Sequence, residues 1–307
     1  MANLKEMAKQ EERLTGGHRA CAGCGIPIIV RQVMHSIKDP VVVGCATGCL
    51  EVVTTIFPYT AWKVPFLHNA FENSAATVSG VEAAYKVLKK KGKISKEIKF
   101  LAFGGDGGTY DIGFQSLSGA MERGHNMLYI CYNNEAYMNT GVQRSGATPF
   151  GANTTTAPAG KVKQGKEQNR KDLTACMVAH NIPYVAQAAV GNWVDLTRKI
   201  EKAMSITGPK YIGVLQPCQL GWAYPMENTV EIGRIAIETC MWPLYEVENG
   251  IYKLTYKPKE KLPVVEWLKL QGRFRHLFKP GNEKLLVDIQ AKVDKDWNDL
   301  LRKCGEA

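Results

Sequence analysis

Apolar residues follow two rhythms along the first 240 positions. Five short, nearly unbroken apolar runs have the length and the β-branched or aromatic content of buried strands: VVVGCA (41–46), KFLAFG (99–104), NMLYICYN (126–133), PYVAQA (183–188) and KYIGVLQ (210–216). Near 26–38, 69–91, 112–123, 171–181 and 193–206, apolar residues recur three and four apart, which predicts helices. Strands separated by helices predict βαβ units, hence an α/β fold whose doubly wound parallel sheet is covered on both faces. Ligands in such sheets bind beyond the carboxyl ends of the strands, at the point where the winding reverses.

Two segments leave this rhythm. Residues 145–170, SGATPFGANTTTAPAGKVKQGKEQNR, are polar and lack either period; a loop of that length in a compact domain is functional or disordered. From about 241 the pattern changes again. In LYEVENGIYKLTY, Asn249-Gly250 separates two alternating runs, a strong hairpin signal, and helical stretches at 263–276 and 281–303 follow. The chain thus divides into an α/β domain, 1–240, and a C-terminal hairpin and helix extension, 241–307, suited to subunit contacts.

Composition narrows the setting. The 307 residues are 45% hydrophobic and 22% charged, enough to bury a large core in a soluble globular protein. The most apolar region, 40–67, is broken by Glu51, Lys63 and prolines, so no transmembrane span is predicted. The opening MANLKEMAKQEERL has no apolar signal-peptide core, and a cytoplasmic location is expected. Lys and Arg exceed Asp and Glu by 39 to 29, a net +10 that suits an acidic cofactor or protein partner. No zinc-finger, RNA-binding or helix-turn-helix pattern accompanies the charge, so nucleic acid is not expected.

The chemistry begins at LAFGGDGGTYDIGF (101–114), where an apolar strand releases one aspartate, Asp106, among glycines. Position 110 is Tyr, which excludes a Rossmann fingerprint, and no Gly-Lys-Ser/Thr exists to form a Walker A loop. Glycine lets backbone N–H groups approach an anion closely, and the following helix aims its positive end at the same spot. A carboxylate fits beside an anion when Mg²⁺ bridges them. The next strand ends in Asn133-Asn134, so Asn134 lies 28 residues after Asp106, about one βαβ unit, and the two strand ends should be neighbours. Gly-Asp-Gly followed by Asn-Asn at this separation resembles the diphosphate motif of thiamine diphosphate enzymes. That resemblance assigns Gly105, Asp106, Gly107, Gly108, Asn134, Ala136 and Thr140 to the cofactor. It gives Mg²⁺ three ligands: Asp106, the Asn134 side chain and the Ala136 carbonyl. The plainer alternative is a strand–turn–helix with an Asp cap.

Of nine cysteines, Cys45, Cys131, Cys176, Cys240 and Cys304 stand alone in apolar or helical contexts and read as small hydrophobes. Cys21 and Cys24 form the one C-x₂-C pair; Cys49 and Cys218 follow predicted strands. If these strand ends converge, four thiolates meet, as a 4Fe–4S cluster or a structural Zn²⁺ requires. Spacing does not separate the two. The neighbouring thiamine motif favours the cluster, because an enamine intermediate needs an electron acceptor and zinc is redox-inert.

GHRACAGCG, ATGCLEV, FPYTAWKVP, HNAFENSAATVSGVEAA, GGDGGTYDIG, NNEAYMNTGVQRSGATPFGANTTT and WPLYEVENG together make nearly the whole chain similar to the β subunits of the 2-oxoacid:ferredoxin oxidoreductase family, in its pyruvate branch. The resemblance implies a sheet of the diphosphate-domain type and cofactors thiamine diphosphate, Mg²⁺ and a 4Fe–4S cluster on Cys21, Cys24, Cys49 and Cys218. It implies oxidative decarboxylation of a small 2-oxoacid, most of all pyruvate, with electrons passing to ferredoxin and the acyl group to coenzyme A. Asn139 matches a catalytic position on the substrate side of the thiazolium; its plainer role would be a helix cap. Glu51 and Glu72 lie outside any pyrimidine-binding domain, and no second array of the ferredoxin kind is present. Partner subunits, one α-type and pyrimidine-binding, one ferredoxin-like, are therefore implied. His18, His68, His125 and His180 read as structural.

The sequence departs from the family at Cys218-Gln219-Leu220, where Cys-Pro-Thr is usual, and at Pro27 after CAGCG. Both bear on the substrate, and oxalate oxidation is the rival within the family. A zinc-stabilised scaffold without activity is the rival outside it. An acetolactate-synthase-like decarboxylase would carry both thiamine domains in one chain and need no cysteine quartet.

Overall fold

Each central strand carries apolar side chains on both faces. Leu101 and Phe103 point into one buried layer, Phe100 and Ala102 into the other. Such a strand is stable only between two layers of helices. A computed structural model, describing residues 4–306, shows that arrangement.

Eight strands form one sheet: β1 (Val41–Ala46), β2 (Phe66–Asn69), β3 (Lys99–Gly105), β4 (Leu128–Asn133), β5 (Tyr184–Ala189), β6 (Lys210–Leu215), β7 (Tyr245–Glu248) and β8 (Ile251–Leu254). Their order is β2-β1-β3-β4-β6-β5-β7-β8. The first six are mutually parallel, and β7 and β8 add antiparallel. Helices Gly25–His35 and Trp193–Ser205 pack on the face that presents Val43, Leu101, Ile130 and Ile212. Helices Ser74–Lys90, Phe114–Glu122 and Leu173–Val178 cover the other face, with Trp297 and Leu300 of the Glu283–Lys303 helix. Ile130 sits in a central strand with no solvent exposure, so its truncation to Ala costs about 2–5 kcal/mol.

The predicted α/β, doubly wound fold is borne out, with most element ends within a few residues. The helix predicted over 69–91 begins at Ser74, because FLHN (66–69) is a short edge strand against β1. The stretch 263–276 is not one helix: a turn of helix at Val265–Leu268 gives way to a 3₁₀ segment, Gly272–Phe278. Helices Cys49–Thr54 and Thr229–Glu238 were not distinguished in the sequence. Asn249 and Gly250 both take positive φ, 49° and 82°, the backbone of a tight two-residue hairpin. That hairpin extends the main sheet through β7 against β5.

Segment 145–170 has no helix or strand, yet it is anchored. Lys166 is buried, and its ammonium donates to the carbonyls of Ser145 (3.2 Å), Gly146 (3.4 Å) and Thr148 (2.6 Å). A third apolar cluster, around Trp222, Trp242, Trp267 and Phe274, packs on Ala189 of β5 and Leu215 of β6. No helix among the described residues is long and apolar enough to cross a membrane.

Candidate functional site

From β1 the chain moves outward to β2, then returns to place β3 on the other side of β1. The winding reverses there, so the crevice lies beyond the carboxyl ends of β1 and β3. Cys49 follows β1, Asp106 follows β3, Asn134 follows the adjacent β4, and Cys218 follows β6. A narrow cleft at this edge is lined by Cys49, Gly105, Gly107, Gly108, Asn134 and Ala136, with Asn139 and Thr140 beside them. A roomier cavity of about 630 Å³ lies between residues 167–175 and the Glu283–Lys303 helix. It holds none of the predicted site residues, and the chemistry points to the narrow cleft.

Asp106 is fully buried. Its carboxylate accepts from the Asn134 backbone N–H at 3.2 Å and from the Ser145 hydroxyl at 2.5 Å. Burial nonetheless pushes its pKa up to about 7, against those hydrogen bonds. The terminal atom of the Asn134 amide lies 2.9 Å from the Ala136 carbonyl oxygen and 3.0 Å from Asp106 Oδ1. As nitrogen, that atom donates to both. As oxygen, it completes a set of three acceptors with no proton between them. Adjacent ligands of an octahedral Mg²⁺ at 2.0–2.1 Å stand about 3.0 Å apart, so the spacing fits that ion.

Bare backbone surrounds this set for steric reasons. A Cβ on Gly107 would fall 2.4–2.7 Å from the Tyr137 ring, and one on Gly108 2.7 Å from the Phe71 carbonyl oxygen. After Asp106 the chain makes a wide turn, in which Gly113 N–H donates to the Gly108 carbonyl at 2.7 Å, before entering the Phe114–Glu122 helix. Such π-type turns cluster at functional sites. Thr140 is exposed at the rim, donating to Gln143 Oε1 at 2.7 Å.

The four candidate cysteines also gather at this edge. Burial first, then the neighbouring Cys218 and Cys21, push the Cys24 thiol up to about 12. Cys49 is pushed up to about 12 by burial, Cys218, Cys24 and Cys21, and the Asn139 side chain opposes this through a hydrogen bond. Cys218 is raised by burial, and the backbone N–H groups of Gly221 and Leu220 oppose it. Cys24, Cys49 and Cys218 thus each feel the charge of at least one other of the four. Cys24 and Cys218 precede helices, and Cys49 begins one, so backbone N–H groups lie ready for a thiolate. Among the described residues, no three His, Cys, Asp or Glu side chains close to the spacing of a single metal ion's ligands. Gly23, with φ of 73°, lets the Cys21–Cys24 turn lie against Met226, whose carbonyl oxygen a Cβ there would meet at 2.3 Å. Asn139, bonded to Cys49, joins the cysteines to the cleft.

Other candidates fall elsewhere. Glu51 is buried and accepts from Thr55 Oγ1 at 2.8 Å, with His68 Nδ1 3.4 Å away. His125 pairs with Glu82, and His180 with Ser118. Pro27 stands in the first turn of its helix, where proline is tolerated, and the Leu220 side chain is exposed. Glu135, which no motif singles out, lies between the two proposed metal-binding residues on β4's exit. It has a positive φ of 64° and an ion pair with both Arg170 and Arg273.

Residues 43–214 match the family described as thiamine pyrophosphate enzyme, C-terminal TPP binding domain. Pyruvate synthase subunit PorB of Methanocaldococcus jannaschii is 56% identical over 285 residues, 92% of this chain and 96% of that one. Ketoisovalerate oxidoreductase subunit VorB of Pyrococcus abyssi is 43% identical over 298 residues, 96% of this chain and 94% of that one. A solved 2-oxoglutarate:ferredoxin oxidoreductase from Magnetococcus marinus shares the fold, with a TM-score of 0.55 over 71% of this chain and 77% of that chain, at 20% identity. The class is that of thiamine pyrophosphate enzymes. Within it, the chain belongs to the pyruvate synthase subunit PorB family.

Proposed function

We propose that this chain is the thiamine diphosphate- and cluster-binding subunit of an enzyme that oxidises a small 2-oxoacid, pyruvate foremost, to its acyl-coenzyme A and CO₂. One observation carries the reading. Three oxygens spaced for Mg²⁺ and four cysteines lie at one sheet edge, with Asn139 between them. Bound thiamine diphosphate would supply the carbon nucleophile and electron sink for decarboxylation, and a 4Fe–4S cluster a one-electron path towards ferredoxin.

The chain's own residues would do the positioning. Asp106, Asn134 and the Ala136 carbonyl present oxygens to the ion that neutralises the diphosphate, and Gly107 and Gly108 leave room for it. Asn139 would orient the reacting end while restraining Cys49. Cys21, Cys24, Cys49 and Cys218 would bind iron as thiolates; the raised pKa values of Cys24, Cys49 and Cys218 as free thiols reflect burial without a cation. The pyrimidine-activating glutamate and onward electron carriers would come from partner subunits in a cytoplasmic complex.

The test uses the assembled enzyme purified without oxygen. Four irons per chain and pyruvate-dependent, coenzyme-A-dependent dye reduction are expected. Stoichiometric zinc without iron would sink the cluster assignment. Similarity to a ketoisovalerate oxidoreductase subunit supports a second reading, a branched 2-oxoacid. Faster turnover of 3-methyl-2-oxobutanoate than of pyruvate would favour it. Turnover of oxalate without coenzyme A, and none of pyruvate, would overturn both.

A further inference from the structure

We infer that Glu135, clamped by Arg170 and Arg273, is a positioning residue that sets the metal affinity of the Asp106–Asn134–Ala136 cradle and ties it to the C-terminal segment. The inference rests on the metal reading of that cradle. Glu135 stands between Asn134 and Ala136, whose oxygens face Asp106. Its backbone is left-handed, an arrangement that a residue with a Cβ adopts only when its surroundings impose it.

Every polar group of Glu135 is held. Its N–H donates to Asn133 Oδ1 at 2.9 Å, and its carbonyl accepts from Thr148 Oγ1 at 2.6 Å. One carboxylate oxygen accepts from Arg170, and the other from Arg273 Nη2 at 2.5 Å. The carboxylate has no solvent exposure. Arg170 is fixed in turn by the Ala147 carbonyl (3.1 Å) and lies 5.1 Å over the Trp242 ring. The Arg273 guanidinium lies 3.8 Å over Trp222, and the Trp222 indole N–H donates to the Asn134 carbonyl at 2.8 Å. The side chain of Glu135 is thus drawn from two sides, and the Asn134 peptide is pinned by the ring on which one of the arginines stacks. With φ fixed at Glu135, the Asn134 amide and the Ala136 carbonyl are held towards Asp106.

Mg²⁺ demands near-ideal octahedral geometry, whereas Ca²⁺ accepts irregular oxygen sets. Loosening the clamp should therefore weaken Mg²⁺ more than Ca²⁺. Outer partners of metal ligands typically contribute about 10–100-fold to affinity. The experiment strips the assembled enzyme of metal and cofactor, then follows thiamine diphosphate binding by calorimetry across Mg²⁺ and Ca²⁺ series, for wild type, Arg273→Met and Arg170→Met. The expected result is a roughly tenfold or greater rise in half-saturating Mg²⁺ in each variant, with a smaller rise for Ca²⁺. A purely structural role would lower the unfolding midpoint of the stripped protein and leave both metal constants unchanged, which would overturn the inference. If Arg273→Met does not fold, Arg170→Met decides alone by the same criterion. Wild type binding the cofactor without any divalent ion would defeat the metal reading itself, an outcome distinct from variants that match a metal-dependent wild type.

Discussion

Replacing Asp106 with Asn should stabilise the metal-free protein and abolish its response to Mg²⁺. The carboxyl is fully buried, and burial outweighs its two hydrogen bonds, lifting the pKa from 3.8 to about 7. The folded state therefore holds this proton more tightly than the unfolded chain does. Between about pH 4 and about pH 7 the unfolded chain has released the proton and the folded protein keeps it, so stability falls as pH rises through that window and stays lower above it. Roughly three pKa units correspond to about 4 kcal/mol at most. Asn fills the same volume without charge. It keeps an oxygen for the Asn134 N–H and offers an amide N–H to Ser145 Oγ, which already accepts from the Ala147 N–H at 3.1 Å. The net gain should be about 1–4 kcal/mol above neutral pH, a rise of several degrees in the unfolding midpoint for a chain of this size. Thermal unfolding of the chelator-treated assembled enzyme at about pH 8 and about pH 5 reads this directly, and the difference should shrink to less than half at the lower pH and close only below about pH 4. Adding Mg²⁺ with thiamine diphosphate should raise the wild-type midpoint alone. A variant less stable than wild type at about pH 8 in chelator, or one that still responds to Mg²⁺, would refute the argument.

Gly108→Ala places a methyl 2.7 Å from the Phe71 carbonyl oxygen, a backbone atom that cannot swing aside, so cofactor binding measured by calorimetry should fall at least tenfold while far-UV circular dichroism stays native. Lys210, whose ammonium meets Asn126 Oδ1 at 2.7 Å and the Ile206 carbonyl at 3.0 Å, is lowered from 10.5 to about 7, by burial first. The unfolded chain then binds the extra proton between those values, so denaturant stability should rise as pH increases from about 7 to about 10, and Lys210→Met should flatten that rise. The +10 excess should speed docking of an acidic ferredoxin, so the electron-transfer rate in stopped flow should drop as salt is raised; a rate indifferent to ionic strength would deny steering.

Much of the fold was legible because a strand buried on both faces must be apolar through its length, and β1, β3, β4 and β6 are, apart from Lys99, Asn133 and Lys210 at their ends. β2 was not, since an edge strand of four residues, with His68 exposed, carries too short a signal to separate it from the helix that follows. Asp106 and Asn134 could be paired from the sequence because a βαβ unit fixes which strand ends are adjacent, and β3 and β4 do lie side by side. The cysteines were harder. Their spacing alone allows any of several sites, and only the sheet order, with β1 and β6 flanking β3 and β4, brings Cys49 and Cys218 to the same edge.

Glu135 marks where local reading stops. Nothing in NNEAY distinguishes a buried carboxylate from an exposed one, and its partner Arg273 lies 138 residues away in RFRHLF, at the end of a stretch read only as helical. An unpaired charge at either place would cost several kcal/mol, so the two are compatible only when the tail folds back over the carboxyl ends of β5 and β6. The third aromatic cluster enforces that fold-back: Trp267 and Phe274 from the tail close against Trp222, which itself holds the Asn134 carbonyl. The segment after residue 241 therefore does more than extend the sheet with β7 and β8. Through Arg273 and the tryptophan cluster it reaches the one left-handed residue on which the geometry of the Asp106 cradle depends.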